Sequence, residues 1–249
     1  MSVVAPASAL VAIETATETV GVAVRTEAGV EAEFALTGRR RHVETLTPAL
    51  EQLLEHVGLE PSAIGAVAVD VGPGLFTGLR VGVAAAKALA FALGVGVVGA
   101  TSLDILTAGA GELGGRGPVL ACVDARRGEV FASLRVLGED GSVESEPIAP
   151  GLFAPESLAV ALAAVPRPEH QAGVLAVGDG AQRYGDVLGE VAGVDVVAPG
   201  LAYPPPAALL RLALARLVGG ESPEEPSSVV PLYMREADAR SNFAQAERA

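Results

Sequence analysis

The sequence has few of the side chains that bind metals or form disulfides. It contains one cysteine, Cys122, and three histidines, His42, His56 and His170, in 249 residues. A single cysteine cannot form an internal disulfide, so no oxidising compartment is required and the cytoplasm is the expected location. Metal sites need several clustered ligands, which this small inventory does not supply. We therefore predict neither a metal site nor a cofactor.

Basic residues are also scarce. The chain has 17 Lys and Arg against 30 Asp and Glu, which gives a formal net charge of -13 at pH 7. A protein that binds nucleic acid by itself usually presents a positive field to the phosphates, so this chain is repelled on average. The densest basic cluster is Arg39, Arg40 and Arg41. Solvated surface is the simplest interpretation of this cluster, and a local nucleic-acid contact is the alternative.

Long uninterrupted apolar runs are missing as well. The best candidate, residues 81–100, contains Lys87 and several glycines and does not fit a membrane span. The first 13 residues lack a basic segment and are interrupted by Pro6, which argues against a signal peptide. Since 50% of the residues are hydrophobic, the chain can bury a substantial core. We predict a globular protein without membrane association.

Strand and helix patterns alternate along the first half. Residues 10–13 and 20–24 predict a hairpin. Apolar residues recur at helical spacing over residues 42–57 and predict an amphipathic helix. Residues 64–71 are typical of a buried strand, and the glycine-rich sequence GPGLFTG then leads into an alanine-rich helix over residues 79–93.

The second half repeats this order. Residues 119–123 and 129–134 predict a second hairpin, and the strand at 174–177 leads into the sequence GDG, as the strand at 67–70 leads into GPG. By analogy, we predict an α/β fold with the two duplicated lobes of the actin, sugar kinase and Hsp70 superfamily, each a mixed sheet flanked by helices.

The expected boundaries follow from this repeat. They are residues 1–104 for the N-terminal lobe, 105–220 for the C-terminal lobe, and 221–249 for a linker and tail that packs back on a lobe. Residues 138–155 are acidic and interrupted by prolines, and we predict a loop there. A helix is expected to begin at Pro206.

The glycine turns are candidate anion sites. Gly72, Gly74, Thr77, Gly178 and Gly180 lie where a strand turns into a helix, so backbone N–H groups there can face a phosphate. No Gly-Lys-Ser/Thr follows, and the dinucleotide spacing is absent. Vestigial phosphate contacts are one interpretation. Close packing of helix on strand, with Thr77 near the helix N-cap, is the other.

The first strand of each predicted lobe ends in an acid, which is Glu14 in the first lobe and Asp124 in the second. They could face each other across a cleft, as acids around a nucleotide's metal do in kinases of this superfamily. Alternatively each caps its own hairpin turn, which we favour. Cys122 is expected to be buried and inert, and no serine lies in a nucleophile elbow. We assign no catalytic residue.

Five segments in order along nearly the whole chain resemble the bacterial TsaB family, also called YeaZ. They are AIETAT at 12–17, RHVE at 41–44, GPGLFTGLR at 72–80, DARRGEV at 124–130 and PLYMR at 231–235. In the catalytic relative TsaD a His-x-Glu-x-His motif holds the metal, and the matching positions here are His42, Glu44 and Leu46. The resemblance therefore implies a non-catalytic paralogue. Glu14 stands where aspartate is common in the family.

The resemblance also implies partners. TsaB pairs with TsaD and, with the ATPase TsaE, forms the assembly that transfers threonylcarbamoyl to an adenosine of certain tRNAs. The tRNA would be contacted only indirectly or through Arg39, Arg40 and Arg41. The family's partner surface corresponds here to the helices predicted at 42–57 and 79–93. The candidate interface residues are Val43, Leu46, Leu50, Leu53, Leu79, Val83 and Lys87.

The sequence also allows other interpretations of these helices and glycine turns. The same helices could form a homodimer when the partner is absent. The glycine turns, with Glu14 and Asp124, would also suit a small-molecule kinase or ATPase of the superfamily. A glycoprotease is a third alternative, but it requires a metal or a nucleophile that the sequence does not offer.

Overall fold

The computed structural model describes residues 9–38, 42–166, 173–190, 194–196 and 199–234. The cluster Arg39, Arg40 and Arg41 and the side chain of His170 lie outside these residues. Within them the strands form two five-stranded sheets.

The first sheet is mixed. Its strands are β1 (Ala9–Glu14), β2 (Thr19–Arg25), β3 (Glu31–Thr37), β4 (Ile64–Gly72) and β5 (Gly96–Thr101). They lie in the order β3-β2-β1-β4-β5. The pairs β1–β2 and β2–β3 are antiparallel, while β1–β4 and β4–β5 are parallel. The central strand β1 is buried along its whole length because helices cover both faces of the sheet.

The second sheet repeats this topology. Its strands are β6 (Gly117–Arg126), β7 (Glu129–Leu137), β8 (Val143–Phe153), β9 (Val174–Val177) and β10 (Val194–Val196). Their order, β10-β9-β6-β7-β8, again places the first strand of the hairpin at the centre, parallel to the strand that follows a helical connection. Two sheets of matching topology confirm the predicted α/β fold of two duplicated lobes, each a mixed sheet flanked by helices.

The loop predicted at residues 138–155 is wrong, since β8 occupies most of it. This strand pairs antiparallel with β7 at the edge of the second sheet. An edge strand tolerates prolines and charged residues because one side of its backbone needs no partner, and Pro147, Pro150 and Glu146 are accommodated in this way. Only Ile148 is buried, so the strand has too little apolar alternation to be recognised from sequence.

Helices flank both sheets. They are α1 (His42–His56), α2 (Phe76–Leu93), α3 (Ser102–Glu112), α4 (Pro155–Ala164), α5 (Asp179–Arg183), α6 (Gly185–Gly189) and α7 (Pro206–Val218). On β1, Val11 and Ile13 belong to the core shared with α1 and α2, whereas Leu10 and Ala12 belong to the core shared with α7. The alternation of side chains along a strand thus places α1 and α2 on one face of the first sheet and α7 on the other.

The chain after the second sheet returns to the first. Helix α7 packs on the first sheet through Leu209, Leu210 and Ala213. Beyond it, Glu224 pairs with Val97 of β5 through two backbone hydrogen bonds of 2.9 and 2.8 Å. Residues 224–233 therefore lie against the N-terminal lobe, while Met234 packs against the core of the second sheet. The lobe boundaries at 104 and 220 stay a prediction.

An ion network ties the two lobes together beside the start of α3. Asp104, which forms a capping box with Thr101, lies 2.6 Å from Arg135 of β7 and 3.1 Å from Arg216 of α7. Burial raises the pKa of Asp104, but the two arginines outweigh it and hold the pKa below its ordinary value. The network therefore joins β7 of one lobe, through the start of α3, to α7, which packs on the other lobe.

Candidate partner surface and inter-lobe cleft

The glycine turn after β4 packs tightly against the turn between β1 and β2. A Cβ atom on Gly74 would collide with the carbonyl oxygen of Ala16, and one on Gly78 with that of Thr15. The Leu75 N–H donates to the Ala16 carbonyl over 2.6 Å, and the Thr15 hydroxyl donates to the Gly78 carbonyl over 2.8 Å. Glycine is required here because two backbones approach closely.

The remaining candidate anion residues also have local packing roles. Gly72 and Gly178 have φ angles of 110° and 101°, which favour glycine, and Gly180 lies against Val130 and the end of β6. Thr77 is exposed and is the second residue of α2, so it lies near the N-cap, Leu75. No side chain forms a capping hydrogen bond at this end of the helix. Phosphate contacts at these five residues stay a prediction.

His42 has a structural role. Its Nε2 lies 3.0 Å from the carbonyl oxygen of Thr17, and its side chain is buried under the β1–β2 turn. Leu46, one helical turn later, is 4% exposed and belongs to the core. Within the residues that the structure describes, no group of three or more His, Cys, Asp and Glu side chains could hold a metal ion. Cys122 is buried, and burial raises the pKa of its thiol, as expected of an inert residue.

Glu14 forms a buried carboxyl pair with Asp70 of its own lobe. Glu14 Oε1 accepts the Ala16 N–H over 2.9 Å, so it caps the hairpin turn, while Asp70 Oδ1 accepts from Gly72 N–H and Ser102 Oγ over 2.7 and 2.8 Å. Burial raises the pKa of Glu14 well above its ordinary value, and the adjacent Asp70 raises it further. A proton held by Glu14 and shared with Asp70 satisfies the two oxygens, Oε2 and Oδ2, that have no other partner in the described chain.

Asp124 lies in the equivalent place of the second lobe. Its Oδ1 accepts the Arg126 N–H over 2.9 Å, and its own N–H donates to Asp179 Oδ1 over 2.9 Å. Glu14 and Asp124 each cap their own turn, and each contacts an acid of its own lobe, Glu14 through its carboxyl group and Asp124 through its backbone N–H. The residue that reaches across the cleft is Glu18, whose Oε1 lies 2.7 Å from Arg126 Nη2. Asp70, Asp179, Glu18 and Arg126 were not identified from the sequence.

The Asp179 carboxyl makes a testable contribution to stability. Burial raises its pKa from 3.8 to about 6, with Asp124 adding to the rise while backbone N–H groups and Arg126 oppose it. Because the folded chain holds this proton more tightly than the unfolded chain, its contribution favours folding below pH 4. That contribution is lost as the pH rises from about 4 to about 6, at a cost of about 2–3 kcal/mol.

Asp179→Asn is expected to abolish this loss, since the amide Oδ1 still accepts the Asp124 N–H and carries no charge. The variant should gain up to about 2 kcal/mol of unfolding free energy over the wild type at pH 7.5 and none at pH 4. Urea denaturation of both proteins at pH 4, 5, 6 and 7.5 measures the difference. A stability difference that does not change between pH 4 and pH 7.5 would contradict the assignment.

The predicted interface residues divide into core and surface. Leu46, Leu79 and Val83 are at most 4% exposed, and Leu50 and Leu53 pack against the same core. Leu46, Leu79 and Val83 therefore face the sheet and support the surface from beneath, while Leu50 and Leu53 keep part of their side chains exposed.

Two of the predicted residues reach the outside of α1 and α2. Val43 is 72% exposed. The Lys87 Nζ donates to the carbonyl oxygens of Ser227 and Val229 over 3.2 and 2.9 Å, which fastens the C-terminal segment alongside α2.

The outer face of α2 is largely apolar and exposed. Its exposed residues repeat at helical spacing, and we call them, with Val43 of α1, the partner surface: Phe76, Thr77, Arg80, Ala84, Ala88 and Phe91. Phe91 is 83% exposed. By length and composition α2 could cross a membrane, with a mean hydropathy of 1.5. In the structure it packs on β4. Only 33% of the helix is buried, so much of its apolar surface is left uncovered. A helix this apolar with so much uncovered area is typical of a contact with another protein.

An aromatic cluster closes one end of the partner surface. The Phe76 and Tyr233 rings lie 5.3 Å apart, and the Arg80 guanidinium lies 3.8 Å above the Phe76 ring and donates to the Tyr233 hydroxyl over 3.1 Å. Arginine stacked on aromatic rings is enriched in protein interfaces. The sequence did not mark this cluster, because Tyr233 is 153 residues from Arg80.

Comparisons with known proteins agree on one family. Residues 27–243 match the model of the TsaD family, described as tRNA N6-adenosine threonylcarbamoyltransferase. The chain is 37% identical over 122 residues to the tRNA threonylcarbamoyladenosine biosynthesis protein TsaB of Escherichia coli, and the alignment spans 49% of this chain and 52% of that protein. An uncharacterized protein of Mycobacterium tuberculosis is 32% identical over 242 residues, covering 94% of both chains. The solved structure of YeaZ from Pseudomonas aeruginosa superimposes with a TM-score of 0.75 and 30% identity, covering 91% of this chain and 99% of that one.

Proposed function

Because the chain belongs to the TsaB (YeaZ) branch of the TsaD family, we propose that it acts in tRNA threonylcarbamoyladenosine biosynthesis as a non-catalytic, activating subunit. In this role it pairs with a TsaD-type threonylcarbamoyltransferase, which supplies the catalytic residues. The observation that carries the proposal is the uncovered apolar face of α2, beside α1.

The non-catalytic role is supported by the start of α1. A metal-binding pair of histidines on a helix places two imidazoles one turn apart, each with one ring nitrogen available to the metal. Here the Nε2 of His42 is engaged by the Thr17 carbonyl, and the residue one turn later is the buried Leu46. The second imidazole of such a pair is therefore missing at position 46.

The partner role is supported by the shape of the surface. Ala84 and Ala88 leave a shallow strip along α2, with Phe76 and Phe91 at its ends, and Val43 is exposed on α1. Small residues between larger ones let a second helix approach closely and fill the strip. A related fold carries a related pair of helices, so a TsaD-type paralogue or a second copy of this chain would fit the same place. We propose the paralogue as the working partner and the homodimer as the state of the chain alone.

Contacts with the other components are indirect in this proposal. A TsaE-type ATPase joins through the complex, and tRNA is bound by the partner or through Arg39, Arg40 and Arg41. The formal net charge of -13 supports this division, because the chain as a whole repels phosphates.

Reconstitution tests the proposal. Purified TsaD-type and TsaE-type proteins, threonylcarbamoyl adenylate and tRNA should form the modified adenosine only when this chain is added, as measured by mass spectrometry of digested tRNA. Full activity without this chain would refute the proposal. Calorimetry with ATP and magnesium tests the kinase or ATPase alternative, which tight, magnesium-dependent binding with turnover would favour instead.

A further inference from the structure

The β1–β2 turn, residues 14–19, holds the first residues of both helices of the partner surface. The Ala16 carbonyl accepts the Leu75 N–H just before α2, over 2.6 Å. The Thr17 carbonyl lies 3.0 Å from Nε2 of His42, the first residue of α1. The N-terminal ends of α1 and α2 are therefore positioned by adjacent carbonyl groups of a single turn.

The same turn reaches the second lobe through Glu18. Its carboxylate lies 2.7 Å from Arg126 Nη2, and Arg126 also lies 2.9 Å from the buried Asp124 carboxylate. Arg126 and Arg127 have φ angles of 63° and 57°, a conformation that residues with large side chains rarely adopt. Surrounding contacts are needed to hold two such residues in sequence, and the ion pairs of Arg126 are among them.

We propose that the Glu18–Arg126 ion pair is a regulatory link between the inter-lobe cleft and the partner surface. When the lobes are close, the pair fixes the β1–β2 turn, and the turn fixes the starts of α1 and α2. When the lobes separate, Glu18 is released and both helix ends loosen. Only one or two peptide units join Glu18 to the carbonyls of Thr17 and Ala16, and each unit is planar and stiff, so a displacement of Glu18 reaches them directly. This inference rests on the proposed function for the assignment of α1 and α2 to a partner.

The first test uses the chain alone. Glu18→Ala removes the inter-lobe ion pair. Glu146→Ala is a matched control, since Glu146 also pairs with an arginine, Arg135, over 2.9 Å. The Glu18 and Glu146 side chains are similarly exposed, at 39% and 37%. In amide hydrogen exchange, the Leu75 N–H of the Glu18→Ala chain should exchange about two- to fivefold faster than in the wild type, the range expected for a half-exposed ion pair. The Glu146→Ala chain should match the wild type. Unchanged exchange at Leu75 in the Glu18→Ala chain would overturn the proposal.

The second test separates the link from the proposed function. In titrations with the TsaD-type protein, Glu18→Ala should weaken binding about two- to fivefold, and it should have no further effect in an Arg126→Ala chain. Equal affinity of the wild type and the Glu18→Ala chain overturns the link and leaves the proposed function standing. Faster exchange at Leu75 with no binding by any chain, wild type included, supports the link of turn to helices and overturns the proposed function alone.

Discussion

Replacing Ala88 by arginine is expected to abolish stable pairing with the TsaD-type protein while leaving the chain folded. Ala88 is exposed at the middle of the partner surface, where a close-packed partner helix would bury an unpaired guanidinium. We expect the affinity to fall by about 2–4 kcal/mol, or about 30- to 700-fold, and tRNA modification in the reconstituted system to fall with it. Calorimetric titration measures the affinity.

Ala163→Arg provides the control for this substitution. Ala163 is an exposed alanine of α4 in the second lobe. Its substitution therefore places the same arginine on an exposed helix position away from the partner surface. Both variants should unfold within about 0.5 kcal/mol of the wild type. Wild-type affinity in the Ala88→Arg chain, or an equal loss in both variants, would show that α2 is not the contact.

Replacing Gly78 by alanine is expected to destabilise the chain by about 2–4 kcal/mol, equivalent to about 4–16 °C in Tm. The added Cβ would collide with the carbonyl oxygen of Thr15, which belongs to the backbone and cannot rotate away. Either α2 or the β1–β2 turn must shift, which also breaks the hydrogen bond from the Thr15 hydroxyl to the Gly78 carbonyl. Urea and thermal denaturation measure the loss.

Gly189→Ala is the matched control, because a Cβ on Gly189 meets no atom within 4 Å. Its unfolding free energy should stay within about 0.5 kcal/mol of the wild type. If Gly78→Ala were equally neutral, the glycines of the GPGLFTG turn would not be explained by close backbone approach. Their interpretation as phosphate contacts would then regain weight.

Local patterns identified much of the fold. The hairpins, the strand β4 and the helix α1 were placed to within a few residues, because helical and strand periodicities report directly which faces are buried. The predicted start of α2 was three residues late, since GPGLFTG looks like a turn throughout, although Phe76 already begins the helix. The strand β8 was missed because it is exposed and charged.

The candidate site was harder to predict from the sequence than the fold. Alanines occur on both faces of α2, so periodicity could not tell Val83 and Leu79, which face the sheet, from Ala84 and Ala88, which face outward. The acids Glu14 and Asp124 were recognised, but their partners Asp70 and Asp179 lie more than 50 residues away along the chain. Such pairings depend on strand order, which the sequence alone left to analogy.

The sequence by itself determined the two-lobe fold class, the family resemblance and the leucine in place of a second imidazole, because each is carried by residues that are neighbours in the chain or repeat at a fixed period. The tertiary structure alone decided which apolar side chains of α1 and α2 are core and which are surface, and that Glu18 is the acid that spans the cleft. Burial and pairing between distant segments depend on how the sheets and helices pack, and contacts such as that between Glu18 and Arg126, 108 residues apart, exist only once they have done so.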